Sequence, residues 1–122
     1  MASFEPEQLN LIAVTKEVRV ETRSGDRVYR TVIWVAVQDG TIFVRSVRGP
    51  AGRWYQRALA DPDIALKVGR TRILARAVPA TDATSVELAS AGFRAKYPRS
   101  RSLDSMMRPE TLPTTLRLDP RS

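Results

Sequence analysis

The 122-residue sequence contains no cysteine and no histidine. Without cysteine there is no disulfide, thiolate nucleophile, iron–sulfur cluster or thiolate zinc site, and the redox compartment is left open. Without histidine the imidazole triads and most transition-metal sites go too, so no metal site is expected. Long apolar runs are also lacking. None approaches the roughly 20 residues needed to cross a bilayer, and the Met1–Gln8 start is acidic rather than basic and then apolar. A cytoplasmic protein with no membrane segment is therefore expected. The carboxylates form no acid/base pair: Glu17 and Glu21 read as a surface ladder around Arg19, and Asp61 and Asp63 as turn chemistry around Pro62. No catalytic residue stands out, and a cofactor carrying its own reactivity is the economical route to any catalysis.

What is present is ordinary for one folded domain spanning residues 1–122. Hydrophobic residues make up 43% and charged residues 27%, so the chain can bury a core. Lys and Arg number 20 against 13 Asp and Glu, a net charge of +7 that favours acidic partners. Only three of the basic residues are Lys. Genome composition alone accounts for such a bias, so the position of each Arg carries more information than their number.

Hydrophobic periodicity points to a mainly β chain with short helices. Leu11–Thr22 alternates, with Ile12, Val14, Val18 and Val20 on one parity, and Ser24-Gly25-Asp26 ends it. Tyr29–Gln38 is apolar on both parities, as expected of a central strand covered on both faces. Asp39-Gly40 then turns into Thr41–Ser46, a strong hairpin signal. Arg53–Ala60 reads as a short helix stopped by Asp61-Pro62. Ile64–Val68 and Thr71–Val78 form a second hairpin about Gly69-Arg70. Thr84-Ser85-Val86-Glu87 fits a capping box for a helix closed by Pro98. A helical turn at Leu103–Met107 and a last strand at Thr114–Leu118 complete six strands, enough for a small closed or nearly closed barrel.

The most informative stretch is Arg45-Ser46-Val47-Arg48-Gly49-Pro50-Ala51-Gly52-Arg53-Trp54-Tyr55-Gln56-Arg57, with four Arg and no acid. It lies where a strand ends, a glycine loop turns and a helix begins. Helix-start amides, planar guanidinium donors and the Ser46 hydroxyl together read as a phosphate cradle. Trp54 and Tyr55 read as core. Arg94, Lys96, Arg99 and Arg101 around Tyr97 read as cations at a helix end, with Tyr97 buried. Trp34 suits either packing or the face of a planar ring.

Several strings carry a resemblance. Arg30-Thr31-Val32-Ile33-Trp34-Val35, Phe43-Val44-Arg45-Ser46-Val47-Arg48-Gly49-Pro50, Gly52-Arg53-Trp54-Tyr55, Lys96-Tyr97 and Thr114-Thr115-Leu116-Arg117-Leu118 resemble an uncharacterised bacterial domain family. That family is related to the flavin-binding split β-barrels, among them pyridoxamine phosphate oxidase and the deazaflavin-dependent reductases. The resemblance covers about Leu9 to Pro120. It implies a six-stranded antiparallel split β-barrel of Greek-key type, with a short helix after strand 3 and a helical segment before the last strand. It further implies a homodimer binding FMN or a deazaflavin coenzyme, with oxidoreductase chemistry through that cofactor. Carried over by position, the phosphate would be held by Arg45, Ser46, Arg48, Gly49 and Arg53, with Arg57 assisting, and Thr31 and Trp34 would lie beside the ring. The helix start departs from the oxidase pattern, with Arg53-Trp54 in place of an Arg-Lys pair. Two other readings stand beside this one: a basic barrel binding nucleic acid or another polyanion, and a cofactor-free dimeric scaffold.

Overall fold

The computed structural model describes residues 3–121. In chain order the elements are α1 (Pro6–Val14), β1 (Glu17–Ser24), β2 (Arg27–Gln38), β3 (Thr41–Val44), a 3₁₀ turn (Gly49–Ala51) and α2 (Arg53–Ala60). There follow β4 (Asp63–Val68), β5 (Thr71–Pro79), α3 (Ala83–Lys96), α4 (Leu103–Met106), a second 3₁₀ turn (Leu112–Thr114) and β6 (Leu116–Pro120). The six strands close into an antiparallel barrel in the order β1-β2-β3-β6-β5-β4. After the β1-β2-β3 meander, β4 returns to lie beside β1, which is a Greek-key connection.

The turns form where the sequence demands them. Asp39 and Gly40 both take positive φ, 53° and 76°, between the paired Gln38 and Thr41. Inward-facing apolar residues fill the barrel, among them Val18, Val20, Ile33, Val35, Ile42, Val44, Ile64, Leu66, Ile73, Leu116 and Leu118, with Trp54 and Ala58 of α2. A second cluster lies outside the barrel under α3 and α4: Ala36, Phe43, Ala89, Phe93, Tyr97 and Met106. Gly92 lets α3 lie close on β2, since a Cβ there would meet the Ala36 Cβ at 3.0 Å.

Four sequence expectations are corrected. Residues 11–14 end α1 rather than begin a strand, because Pro6 at the first turn and the Glu5 N–H bond to Gln8 Oε1 start a helix upstream. That helix sends Ile12 into the barrel end, and an alternating string does not distinguish this from a strand. Asp82, not Thr84, caps α3, its carboxylate accepting from the Ser85 N–H at 3.0 Å. β2 is covered on both faces only in its second half, since the second cluster reaches Trp34 and Ala36 while Val28 and Val32 stay exposed. The last strand begins at Leu116 because Thr114 and Thr115 are taken up in the preceding turn.

The C-terminal end of α1 has no basic residue of its own. α3 supplies one: Lys96 Nζ donates to Ile12 O at 2.9 Å and to Val35 O at 2.7 Å, and Lys16 Nζ donates back to Lys96 O at 2.9 Å. These bonds latch α1 across the barrel end. Burial, reinforced by the Lys16 cation, lowers the Lys96 ammonium to about 8 from its ordinary 10.5. Burial raises the neighbouring Tyr97 hydroxyl to about 12 from 10.0. Between about pH 8 and 10.5 the unfolded chain therefore holds a proton that folded Lys96 has released, and stability rises with pH. Above pH 10 the folded Tyr97 keeps a proton that the unfolded chain loses, but Arg45, lowered by burial to about 10, releases one that the unfolded chain holds, and the two offset each other. Urea unfolding followed against pH should show stability rising between about pH 8 and 10.5. Lys96→Met should abolish most of this rise; an unchanged rise contradicts the assignment.

Candidate functional site

A cavity of ≈ 630 Å³ opens where two paired strands differ in length. β2 has twelve residues and β3 has four, and their pairing covers only Val35–Gln38. The two-residue turns fix which way each β2 backbone group points. Ser24 pairs with Arg27 and Gln38 with Thr41, so alternation turns the N–H and C=O of residues 29, 31, 33 and 35 towards β1. Those of Val28, Arg30 and Val32 point to the other side, where no strand pairs with them. The chain beyond Val44 leaves the sheet instead of following this edge. The walls are Tyr29–Trp34 of β2, Arg45–Arg48, Gly52–Trp54 and Arg57, with Glu17, Ser102 and Met106; Arg30 is the one β2 residue of that stretch not on the wall.

Seven of the eight residues singled out from the sequence come together on this wall: Thr31, Trp34, Arg45, Ser46, Arg48, Arg53 and Arg57. Gly49 lies buried beneath it. Its φ of 68° makes the loop turn, and a Cβ there would meet Glu110 O at 3.1 Å. Gly49 thus shapes the loop without lining the cavity.

One end of the cavity is cationic. Arg48 and Arg53 are exposed and have no hydrogen-bond or ion-pair partner among the described residues. Arg57 donates Nε–H to Thr22 Oγ1 at 2.8 Å and stacks over the Tyr29 ring at 4.0 Å, leaving its terminal nitrogens unbonded by the described residues. α2 starts here with no side-chain cap and no acid in its first turn, so its free amides add positive potential. Glu17 is the one acid on the wall. Other arginines are already committed: Arg30 and Arg72 both bind the buried Glu21, at 2.9 and 2.8 Å. Burial acts to raise the Glu21 carboxyl, but those two hydrogen bonds outweigh it and hold the group below its ordinary value. The surface-ladder reading of Glu21 is corrected accordingly.

Arg45 and Ser46 do structural work that the sequence does not reveal. Arg45 is 1% exposed, and each of its five N–H groups has an acceptor. Nε bonds Thr115 Oγ1, Nη1 bonds Met106 O and Met107 Sδ, and Nη2 bonds Val86 O and Ser90 Oγ. No donor is left for a phosphate, so its reading as a direct ligand is corrected. No carboxylate bonds to it either; burial, with the Arg94 cation adding to it, lowers the guanidinium to about 10, and it stays charged at neutral pH. The Ser46 hydroxyl donates to Gly49 O at 2.7 Å and fills the space where a Cβ on Gly52 would stand, 2.1 Å from Oγ. Its proton is likewise committed to the loop.

The other end is aromatic. The half-buried Trp34 ring lies flat on Tyr97, with centroids 3.9 Å apart and planes 5° apart. The Tyr97 hydroxyl accepts from the Val35 N–H at 3.4 Å and donates to Lys16 O, and Phe93 packs against its ring. Sequence reading missed Tyr97's part in the site because its partner lies 63 positions away in a separate element. It also missed Tyr29 beneath Arg57, for which strand alternation was the available signal.

The profile of a bacterial family described as uncharacterized protein conserved in bacteria (DUF2255) matches residues 8–118. No curated protein matches the sequence. Among solved structures, a conserved hypothetical protein of Mycobacterium tuberculosis, Rv2991, superposes with a TM-score of 0.74 at 17% identity, over 100% of this chain and 83% of that one. The heme storage protein HutZ of Vibrio cholerae gives 0.71 at 12%, over 99% and 92%. A FAD-binding protein of Mesorhizobium loti gives 0.66 at 12%, over 99% and 93%. The split-barrel fold is thus shared across proteins of very different sequence.

Two outcomes follow from the loop. Gly52→Ala should destabilise the fold by about 1–3 kcal/mol through overlap with the Ser46 hydroxyl, and adding Ser46→Ala should recover much of that loss; an additive double variant contradicts the contact. Arg45→Met should cost about 2–4 kcal/mol, because it removes five hydrogen bonds from the interior, the one to the Met106 carbonyl among them. Chemical denaturation measures both, and an Arg45→Met variant of native stability would show that these bonds contribute little.

Proposed function

The chain belongs to DUF2255, a bacterial family built on the split barrel of cofactor-binding proteins, and on that premise we propose that its cavity binds a phosphorylated planar ring, FMN or its deazaflavin analogue. The observation that carries this reading is the cavity's polarity along its length. Unpaired Arg48 and Arg53 beside an uncapped helix start suit a phosphate, while Trp34, backed by Tyr97, offers a flat face. The unpaired backbone groups of Val32 between them suit the polar rim of a ring. The volume lies in the range of small-molecule sites.

Arg48 and Arg53 would hold the phosphate, with Arg57 turning its free nitrogens to it. Trp34 and Thr31 would sit against the ring, and Arg45, Ser46 and Gly49 would hold the loop in shape. A bound flavin supplies hydride and single-electron transfer, and the protein's share is to orient the ring and limit its contact with water. The cavity mouth is broad and carries exposed Val32 and Val47, with Val28 further along β2. A second copy covering these side chains would close the site, so the proposal includes a homodimer. No helix among the described residues is long and apolar enough to cross a membrane.

Titration of the protein with FMN and with the deazaflavin coenzyme, followed by ligand fluorescence, tests the reading. Wild type should saturate with one of them. Arg48→Gln with Arg53→Gln should lose about 100-fold or more in affinity at unchanged thermal stability, while riboflavin, which has no phosphate, binds both proteins alike. Equal FMN affinity for the two proteins overturns the phosphate assignment. A wild type that takes neither cofactor but binds a generic oligonucleotide, with affinity falling steeply as salt rises, moves the function to a polyanion.

A further inference from the structure

The latch on α1 and the aromatic wall of the cavity share one side chain. Tyr97 presses its ring on Trp34, which lines the cavity, and its hydroxyl bridges Lys16 O and the Val35 N–H. Lys16 is two residues beyond α1 and returns a bond from Nζ to Lys96 O, while Lys96 bonds Ile12 O in α1 and Val35 O in β2. Both ammonium groups also flank the Tyr97 ring, at 5.6 and 5.4 Å from its centroid. The route from α1 to the cavity is therefore an unbroken chain of bonds and one stacked pair. Nothing else among the described residues stacks on the Trp34 ring.

We propose that Tyr97 is a positioning residue that fixes the Trp34 face for a ring ligand and, through its hydroxyl, makes the docking of α1 and the occupation of the cavity one coupled event. The inference rests on the reading of the cavity as a ring-binding site. If Trp34 is held flat, Tyr97 is held in place, and its hydroxyl keeps the α1–β1 joint closed. A ring pressed on the free face of Trp34 then tightens α1, and a docked α1 strengthens ring binding to the same extent, since coupling free energies are reciprocal. Phosphate contacts at the far end of the cavity do not pass through this route.

The experiment combines hydrogen exchange of residues 6–14 with FMN titration in wild type, Tyr97→Phe and Tyr97→Leu. In wild type, FMN should raise the protection of α1. Tyr97→Phe keeps the stack and loses the hydroxyl bridge; it should bind FMN within about threefold of wild type yet show no ligand-dependent protection of α1. Tyr97→Leu should lose about tenfold or more in FMN affinity, while the inhibition constant of inorganic phosphate in competition with FMN stays as in wild type. A Tyr97→Leu protein with unchanged FMN affinity, or a Tyr97→Phe protein that still transmits protection to α1, overturns the proposal. If wild type binds no FMN, the ring-site reading fails, and the coupling is judged in the free protein. There Trp34→Ala should loosen α1 in the wild-type background and not in the Tyr97→Phe background, and equal loosening in both overturns it.

Discussion

The cavity follows from a mismatch between two neighbouring strands. A twelve-residue β2 beside a four-residue β3 leaves a strand edge with no partner, in a barrel that otherwise closes. An unpaired edge is a liability unless something covers it. Here the chain beyond β3 turns away through a glycine loop into α2, and the edge becomes one wall of a cavity. The loop can turn so tightly because Gly49 takes a positive φ and Gly52 leaves room for the Ser46 hydroxyl. Lengthening β3 would pair the edge and fill the same space, so closing the sheet and keeping the cavity exclude one another.

The division of labour among the arginines depends on the same geometry. Arg45, Arg48, Arg53 and Arg57 come from one short stretch, yet they face different surroundings. Arg45 turns out of the barrel under α3 and α4 and commits every N–H to those elements and to the turn before β6. Its burial without a carboxylate is tolerated because five neutral acceptors and the Phe93 face surround it. It fixes the strand end from which the loop departs. Arg48 and Arg53, three and eight residues on, are free because that loop lifts them into solvent at the cavity edge. One residue cannot serve as both a fixed anchor and an uncommitted cation.

The sequence disclosed the barrel, its turns and most of the residues on the cavity wall, because strand alternation and Asp-Gly turns are local signals. It did not disclose which arginine was spent, since the acceptors of Arg45 come from positions 86 to 115. The end of α1 reads as strand in the sequence for a related reason. Ile12 and Val14 continue the parity of Val18 and Val20, and the helix start at Pro6 together with the packing of Ile12 and the Lys96 bond to its carbonyl settles the segment as helix. Asp82 was passed over as a cap because Thr84 and Glu87 matched a stronger pattern two residues later. The misreadings of Arg45 and of residues 11–14 are decided by distant contacts, whereas the Asp82 cap is a choice between two local patterns.

The two ends of the cavity rest on supports that meet at Phe93, which packs against both the Arg45 guanidinium and the Tyr97 ring. The cationic end is built from one continuous stretch of chain and anchored by Arg45 to the α3, α4 and β6 side. The aromatic end is built from β2 and the residue that closes α3, and is anchored by lysines to α1. A ligand that spans the cavity touches both supports at once, and its two halves sense different parts of the fold. α1, remote from the glycine loop in sequence, is joined to the cavity wall through Tyr97 and the lysines that flank it.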